Sequence, residues 1–238
     1  MSVDLRGIGV TLAGRPVLQG ISARLTESRV GIVGRNGSGK TTLARVIAGL
    51  IAPDAGQART FGIDMAQDRR AALATVGIIF QNPDHQIIFP TVIEEIAFGL
   101  VQQRLRQQQA ETAARDMLAR FGKAHWANAA THSLSQGQKQ LLCLMSVLAM
   151  RPRVIVMDEP FSGLDIPTRL QLMRYLDGIA AQVVMITHDP GQVRGFDRIL
   201  WLEGGRLAAD GPPATVLPAF EAQMRDWGNC DDLAHLAP

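Results

Sequence analysis

The chain has 238 residues, 47% of them apolar, and a formal net charge of +2. That length suits one large domain, or one domain with an insertion, and the apolar share is ordinary for a globular protein. The charge is too weak and too evenly scattered for a nucleic-acid footprint.

Two cysteines, Cys143 and Cys230, lack CxxC spacing and imply neither a disulfide framework nor a metal knuckle. This fits a reducing cytoplasm. The N-terminus MSVDLRGIGV has no basic segment followed by a long apolar one, so no signal peptide is expected. The run LLCLMSVLAM, residues 141–150, is about half of the roughly 20 residues a membrane span needs. Another chain would have to supply any membrane part.

In chain order, RVGIVG (29–34) predicts a short buried strand, followed by a glycine-rich loop and a helix from about Lys40 to Leu50. The turn cluster APDAG (52–56) stops that helix. TVGIIF (75–80) predicts another strand. Thr91 to about Phe121 reads as helical, with Thr91 and Glu94 as a capping box. A further helix runs from near Ser135 to Met150.

RVIVMD (153–158) and QVVMIT (182–187) are near-continuous apolar runs, as in central parallel strands. RILWLEGGRLAAD (198–210) predicts a hairpin at Gly204-Gly205, and the last twenty or so residues a short helix and a loose tail. The alternation predicts an α/β fold with a mostly parallel sheet, interrupted over 91–150 by helices.

GRNGSGKT (34–41) fits G-x-x-x-x-G-K-[ST] between a predicted strand and a predicted helix. Glycines let the backbone wrap a phosphate with its N–H groups inward, and the helix aims its positive end at the same place. Lys40 adds a cation for the β- and γ-phosphates, and the Thr41 hydroxyl is a Mg²⁺ ligand. The strand of RVIVMDEP delivers Asp158 to the sheet's C-terminal edge as a metal-shell acid, with Glu159 placed to polarise a water. His188, at the end of another strand, belongs to the same edge. LSQGQKQ (134–140) opens a helix with Ser135 as cap, and a serine and glycine there also make a second anion site.

Together these motifs resemble the ATP-binding-cassette (ABC) ATPases over residues 3–217, in the family's order. GRNGSGKTT resembles Walker A, assigning phosphate contacts to Gly34, Arg35, Asn36, Gly37, Ser38, Gly39, Lys40, Thr41 and Thr42. VIVMDEP resembles Walker B, with Glu159 as base; SGLD (162–165) resembles the D-loop, bringing in Asp165; His188 matches the switch histidine. In IIFQNPDHQIIFP (78–90), Gln81 matches the Q-loop glutamine, which touches Mg²⁺ or the attacking water.

LSQGQ resembles the LSGGQ signature with Gln136 in place of a glycine. The resemblance implies that Ser135, Gly137 and Gln138 act on the ATP of a partner in a head-to-tail dimer. The implied fold is a P-loop NTPase: a RecA-like core with a mainly parallel sheet, an N-terminal antiparallel β subdomain and an inserted α-helical subdomain. The expected division is a domain over 1–222, with core 1–81 and 151–222 and helical subdomain 82–150, and a tail over 223–238.

QNPDHQIIFPTVIEEIAFG is more specific. It resembles the QNPDDQ…PTVEEDVAFG pattern of energy-coupling-factor ATPases, with His85 where a second aspartate is usual. Ile87, Ile88 and Phe89 are then expected to line a groove for a membrane subunit's coupling helix. The resemblance implies an ATP- and Mg²⁺-dependent importer subunit, peripheral on the cytoplasmic face of the inner membrane. It would work as a homodimer, or as a heterodimer with a paralogue, beside a transmembrane coupling protein and a substrate-binding membrane protein, without nucleic acid. The cargo would be a vitamin or a cobalt or nickel ion. Compact size resembles single-ATPase systems and favours biotin. In such alignments the aromatic that stacks on adenine falls near Leu12, and none lies within several residues of it.

The alternatives are a soluble ABC ATPase outside transport, a small-molecule P-loop kinase, and an ATP-binding regulatory module. The first lacks a long coiled-coil insertion or second cassette, the second leaves LSQGQ unexplained, and intact Glu159 and His188 oppose the third.

Overall fold

Residues 3–228, without the side chain of Arg69, are described in a computed structural model. Cys230 and the rest of 229–238 lie outside the described residues.

Two sheets form the frame. The first is antiparallel, in the order β2-β1-β4-β5, from β1 (Val3–Leu12), β2 (Arg15–Leu25), β4 (Ala55–Thr60) and β5 (Ile63–Asp64). This is the expected N-terminal β subdomain. The second runs β10-β9-β3-β8-β7-β6, from β3 (Arg29–Val33), β6 (Val76–Ile79), β7 (Val154–Asp158), β8 (Gln182–Ile186), β9 (Arg198–Glu203) and β10 (Arg206–Gly211). Its strands pair in parallel except for the final hairpin of β9 and β10. Every residue of β7 and β8 is buried, which explains their unbroken apolar runs.

Helix α1 (Lys40–Ile47) lies between the two sheets. Its Leu43, Val46 and Ile47 join one core cluster with Ile8 and Ile21 of the first sheet and Ile32 and Val156 of the second. Helix α2 (Arg69–Thr75) leads into β6. The chain leaves β6 and returns at β7, its sheet neighbour, after α3 (Val92–Gln102), α4 (Gln107–Arg120) and α5 (Gln136–Ala149). Then come α6 (Ile166–Asp177) and α7 (Pro213–Gly228).

The single helical stretch expected over 91–121 is two helices. Arg104 takes a left-handed φ of 72° between them, which ends α3. The capping box at its start is present: the Glu94 carboxylate accepts the Thr91 N–H at 3.2 Å and also bonds the Thr91 hydroxyl. Helix α7 runs beyond 222 to Gly228.

Gly77, in β6, packs against Val147 of α5 and Pro152, and an added Cβ would press into Val147 Cγ1. Gly77→Ala is expected to destabilise the fold by about 1–3 kcal/mol, seen as a lowered urea midpoint with an unchanged slope.

Candidate active site

The loop from Gly34 to Gly39 joins β3 to α1 and wraps because Gly37 (φ 79°) and Gly39 (φ 102°) adopt conformations that L side chains disfavour. Gly34 is tight as well: a Cβ there would strike the Leu202 carbonyl of β9. Lys40 Nζ donates to the carbonyls of Gly34 at 2.8 Å and Arg35 at 2.7 Å, inside the loop. Burial pushes its pKa down, while Glu159, Asp158 and Glu203 push it back up. The buried Ser38 hydroxyl has no hydrogen-bond partner among the described residues, which leaves a donor for a ligand oxygen.

Asp158, the last residue of β7, is buried, and its Oδ1 accepts the Thr41 hydroxyl at 3.2 Å. Burial raises its pKa, the Thr41 bond opposes this, and the Glu159 charge adds to the rise. Glu159 has φ 46°, a costly conformation for a non-glycine residue, held by its N–H bond to the Ile186 carbonyl at 2.9 Å. Its Oε2 accepts the Ser162 hydroxyl at 3.1 Å and lies 2.9 Å from His188 Nδ1. The base candidate is thus shielded, at 13% side-chain exposure, and His188 is open, at 56%.

A cavity of about 480 Å³ unites Asn36, Gly37, Gly39, Lys40, Thr41 and Thr42 with Gln81, Glu159 and His188. Gln81 is exposed and makes no hydrogen bond to the described residues, whereas Gln86 is tied to β6 through Phe80 N–H and the Ile78 carbonyl. Sequence reasoning missed two lining residues. Ser162 stood within the D-loop motif but was given no role. Val17, on β2, lines it too, whereas Leu12, near which an adenine-stacking position was expected, sits at the β1–β2 hairpin end.

Ser135, Gly137, Gln138 and Asp165 do not line this cavity. Ser135 and Gln138 cap α5 reciprocally, through Ser135 N–H to Gln138 Oε1 at 2.8 Å and Gln138 N–H to Ser135 Oγ at 3.3 Å. Asp165 caps α6 by accepting the Thr168 N–H at 3.0 Å. Gln136 packs beside Gly163, and Gly137 against Thr168, so the signature segment and the D-loop touch within one chain. Arg35 lies under Trp227 of α7, 4.7 Å from the ring centre, a contact with no sequence signal.

A second cavity, about 640 Å³, lies beside β6 and α3, with Leu73, Phe80, Ile88 and Phe98 among its lining. Of the three apolar residues expected there, Ile88 alone lines it. Ile87 packs on the core, and Phe89 meets Phe98 with ring centres 4.9 Å apart and planes tilted by 41°. The Glu95 carboxylate accepts the N–H groups of Ile88 and Phe89, both at 2.9 Å, and so holds Ile88 outward at 65% exposure.

The protein-family profile described as ABC transporter matches residues 18–162. The chain belongs to the ABC transporter ATPase family. Within it, the chain is 53% identical to the biotin transport ATP-binding protein BioM of Rhodobacter capsulatus, over 94% of this chain and 96% of that protein. It is 34% identical to the energy-coupling factor transporter ATP-binding protein EcfA of Methanothermobacter thermautotrophicus, over 94% of this chain and 75% of that one. Among solved structures it is similar to cbiO1 of Clostridium perfringens, part of the ABC transporter complex cbiONQ. There the TM-score is 0.81, with 27% identity, 98% of this chain and 97% of that one. No helix among the described residues of this ABC ATPase is long and apolar enough to cross a membrane.

Proposed function

We propose that the chain is the ATP-hydrolysing subunit of an energy-coupling-factor importer, with biotin as the favoured cargo. The observation that carries the hydrolytic part is the single cavity holding Lys40, Thr41, Gln81, Glu159 and His188. The cargo rests on the BioM relative, similar over almost the whole of both chains.

The loop N–H groups of 34–39, Lys40 and the unpartnered Ser38 hydroxyl bind the phosphates. The donor set of Thr41, Asp158 and Gln81 is all oxygen and fits Mg²⁺. When bound, the ion would draw charge from the phosphate oxygens. Glu159 takes a proton from the attacking water, and His188, bonded to it, reads the γ-phosphate.

Ser135, Gly137 and Gln138, outside the chain's own cavity, contact a partner's ATP in a head-to-tail dimer, with Asp165 at the junction. We favour two identical copies over a pair of paralogues. The groove at Ile88 receives a membrane subunit on the cytoplasmic face. The functional division is core 1–81 and 151–222, with 82–150 as the moving helical part.

The test is isolation from native membranes in mild detergent. The expected result is co-purification with a substrate-binding membrane protein carrying biotin and a transmembrane coupling protein. Recovery solely in the soluble fraction, without membrane partners, would overturn the importer reading.

A further inference from the structure

A third cavity, about 400 Å³, opens at the edge of the parallel sheet opposite the ATP cavity. It lies beside Pro152 and Ala181, just before β7 and β8, whereas Glu159 and His188 follow the far ends of those strands. Three arginines reach it from three segments: Arg120 from the last turn of α4, Arg151 from the α5–β7 connection, and Arg174 from the last turn of α6. No Asp or Glu among the described residues lines it. None of the three guanidinium groups has a hydrogen-bond or ion-pair partner among the described residues. Phe121 and Tyr175, in contact with ring centres 4.9 Å apart and planes tilted by 44°, form an aromatic wall, with Ile179 beside them.

Helix C-termini attract cations, so basic residues in last turns have an ordinary explanation. It does not account for this cluster. The end of α6 already has a cation, a fourth arginine: Arg29 donates to the Leu176 carbonyl in the last turn at 3.0 Å, and to those of Ile179 at 2.7 Å and Ala181 at 3.1 Å just beyond it. Arg174 is therefore spare. Arg151 holds a left-handed φ of 52°, which fixes where its side chain departs.

We propose that this cavity binds a small phosphate monoester with a flat apolar body. Guanidinium forks match the oxygens of a phosphate, three cations suit a dianion better than a monocarboxylate, and the aromatic wall takes the body. A cavity of this size is that of a small-molecule site rather than a protein interface. Because Arg120 belongs to the helical excursion and Arg174 to the segment after β7, an occupant would tie the two together.

Tyr175 is the single tyrosine in the chain, so fluorotyrosine labelling gives one ¹⁹F resonance inside the cavity. The protein is first saturated with Mg²⁺ and ADP to fill the P-loop, then titrated with phenyl phosphate. The expected result is a saturable shift that phenol does not produce. R120A and R174A should each weaken binding by about tenfold. R174K should also weaken it, because an ammonium lacks the fork. Both arginines are exposed, so the variants should fold, which thermal unfolding checks, and R120A gives an independent reading on another helix. No saturable shift, an equal shift with phenol, or binding undiminished in R120A and R174A would overturn the proposal.

Discussion

Glu159→Gln is expected to cut ATP turnover by about 10²–10⁴-fold, the usual contribution of a general base, while ATP binding persists. Gln keeps the shape and can still accept a bond from Ser162, but it cannot take a proton. Lys40, Ser38 and the loop glycines are untouched, so the nucleotide stays and the head-to-tail dimer should accumulate. Phosphate release and size-exclusion chromatography with ATP check both halves. Turnover near the wild-type rate would remove Glu159 from the role of base. His188→Ala should be milder, because it removes the open partner of Glu159 and leaves the carboxylate in place.

Asp158→Asn is expected to act in opposite directions on activity and stability. Losing a carboxylate from the metal shell costs several kcal/mol of charge stabilisation, on the order of 10³-fold in turnover. The nucleotide-free protein should become more stable. Burial raises the pKa of Asp158 above its unfolded value, so ionising it opposes folding. That penalty is absent below the unfolded carboxylate value, about pH 4, and complete once pH passes the raised folded value. The gain from Asn should therefore be largest at neutral pH and above, and vanish on acidification. Thermal unfolding of both proteins across pH measures it. A variant less stable than wild type at pH 7 would show that the empty site already favours the charged carboxylate.

Much of this was legible where one residue type has one physical use. The loop glycines, Lys40 and Thr41, and the apolar strand before Asp158 announced themselves by spacing, and the cavity unites Gly37, Gly39, Lys40 and Thr41 with Glu159, the residue after that strand. The first sheet was harder to read residue by residue. Its β1–β2 ladder shifts register three times, and Gly7, Gly14 and Gly20 take positive φ, so strict alternation is lost. The break at Arg104 carries no Gly or Pro to announce it. Ile87, Ile88 and Phe89 look alike in sequence, and only Glu95, six or more residues on, decides which faces outward. The D-loop beside Gln136 and Trp227 beside Arg35 join residues distant along the chain, which no local pattern encodes.

The place of β3 in its sheet has a consequence for biosynthesis. The strand that carries the phosphate loop is flanked by β8 and β9, both near the end of the chain. On a ribosome, Val30 and Ile32 wait for roughly 150 further residues, about 8–30 s of elongation, before either neighbour exists. Through that interval the nascent chain exposes an apolar strand with two open edges, the form that chaperones and aggregates both capture. The phosphate loop at the end of β3 therefore gains its sheet surroundings only when synthesis is well past the middle of the chain.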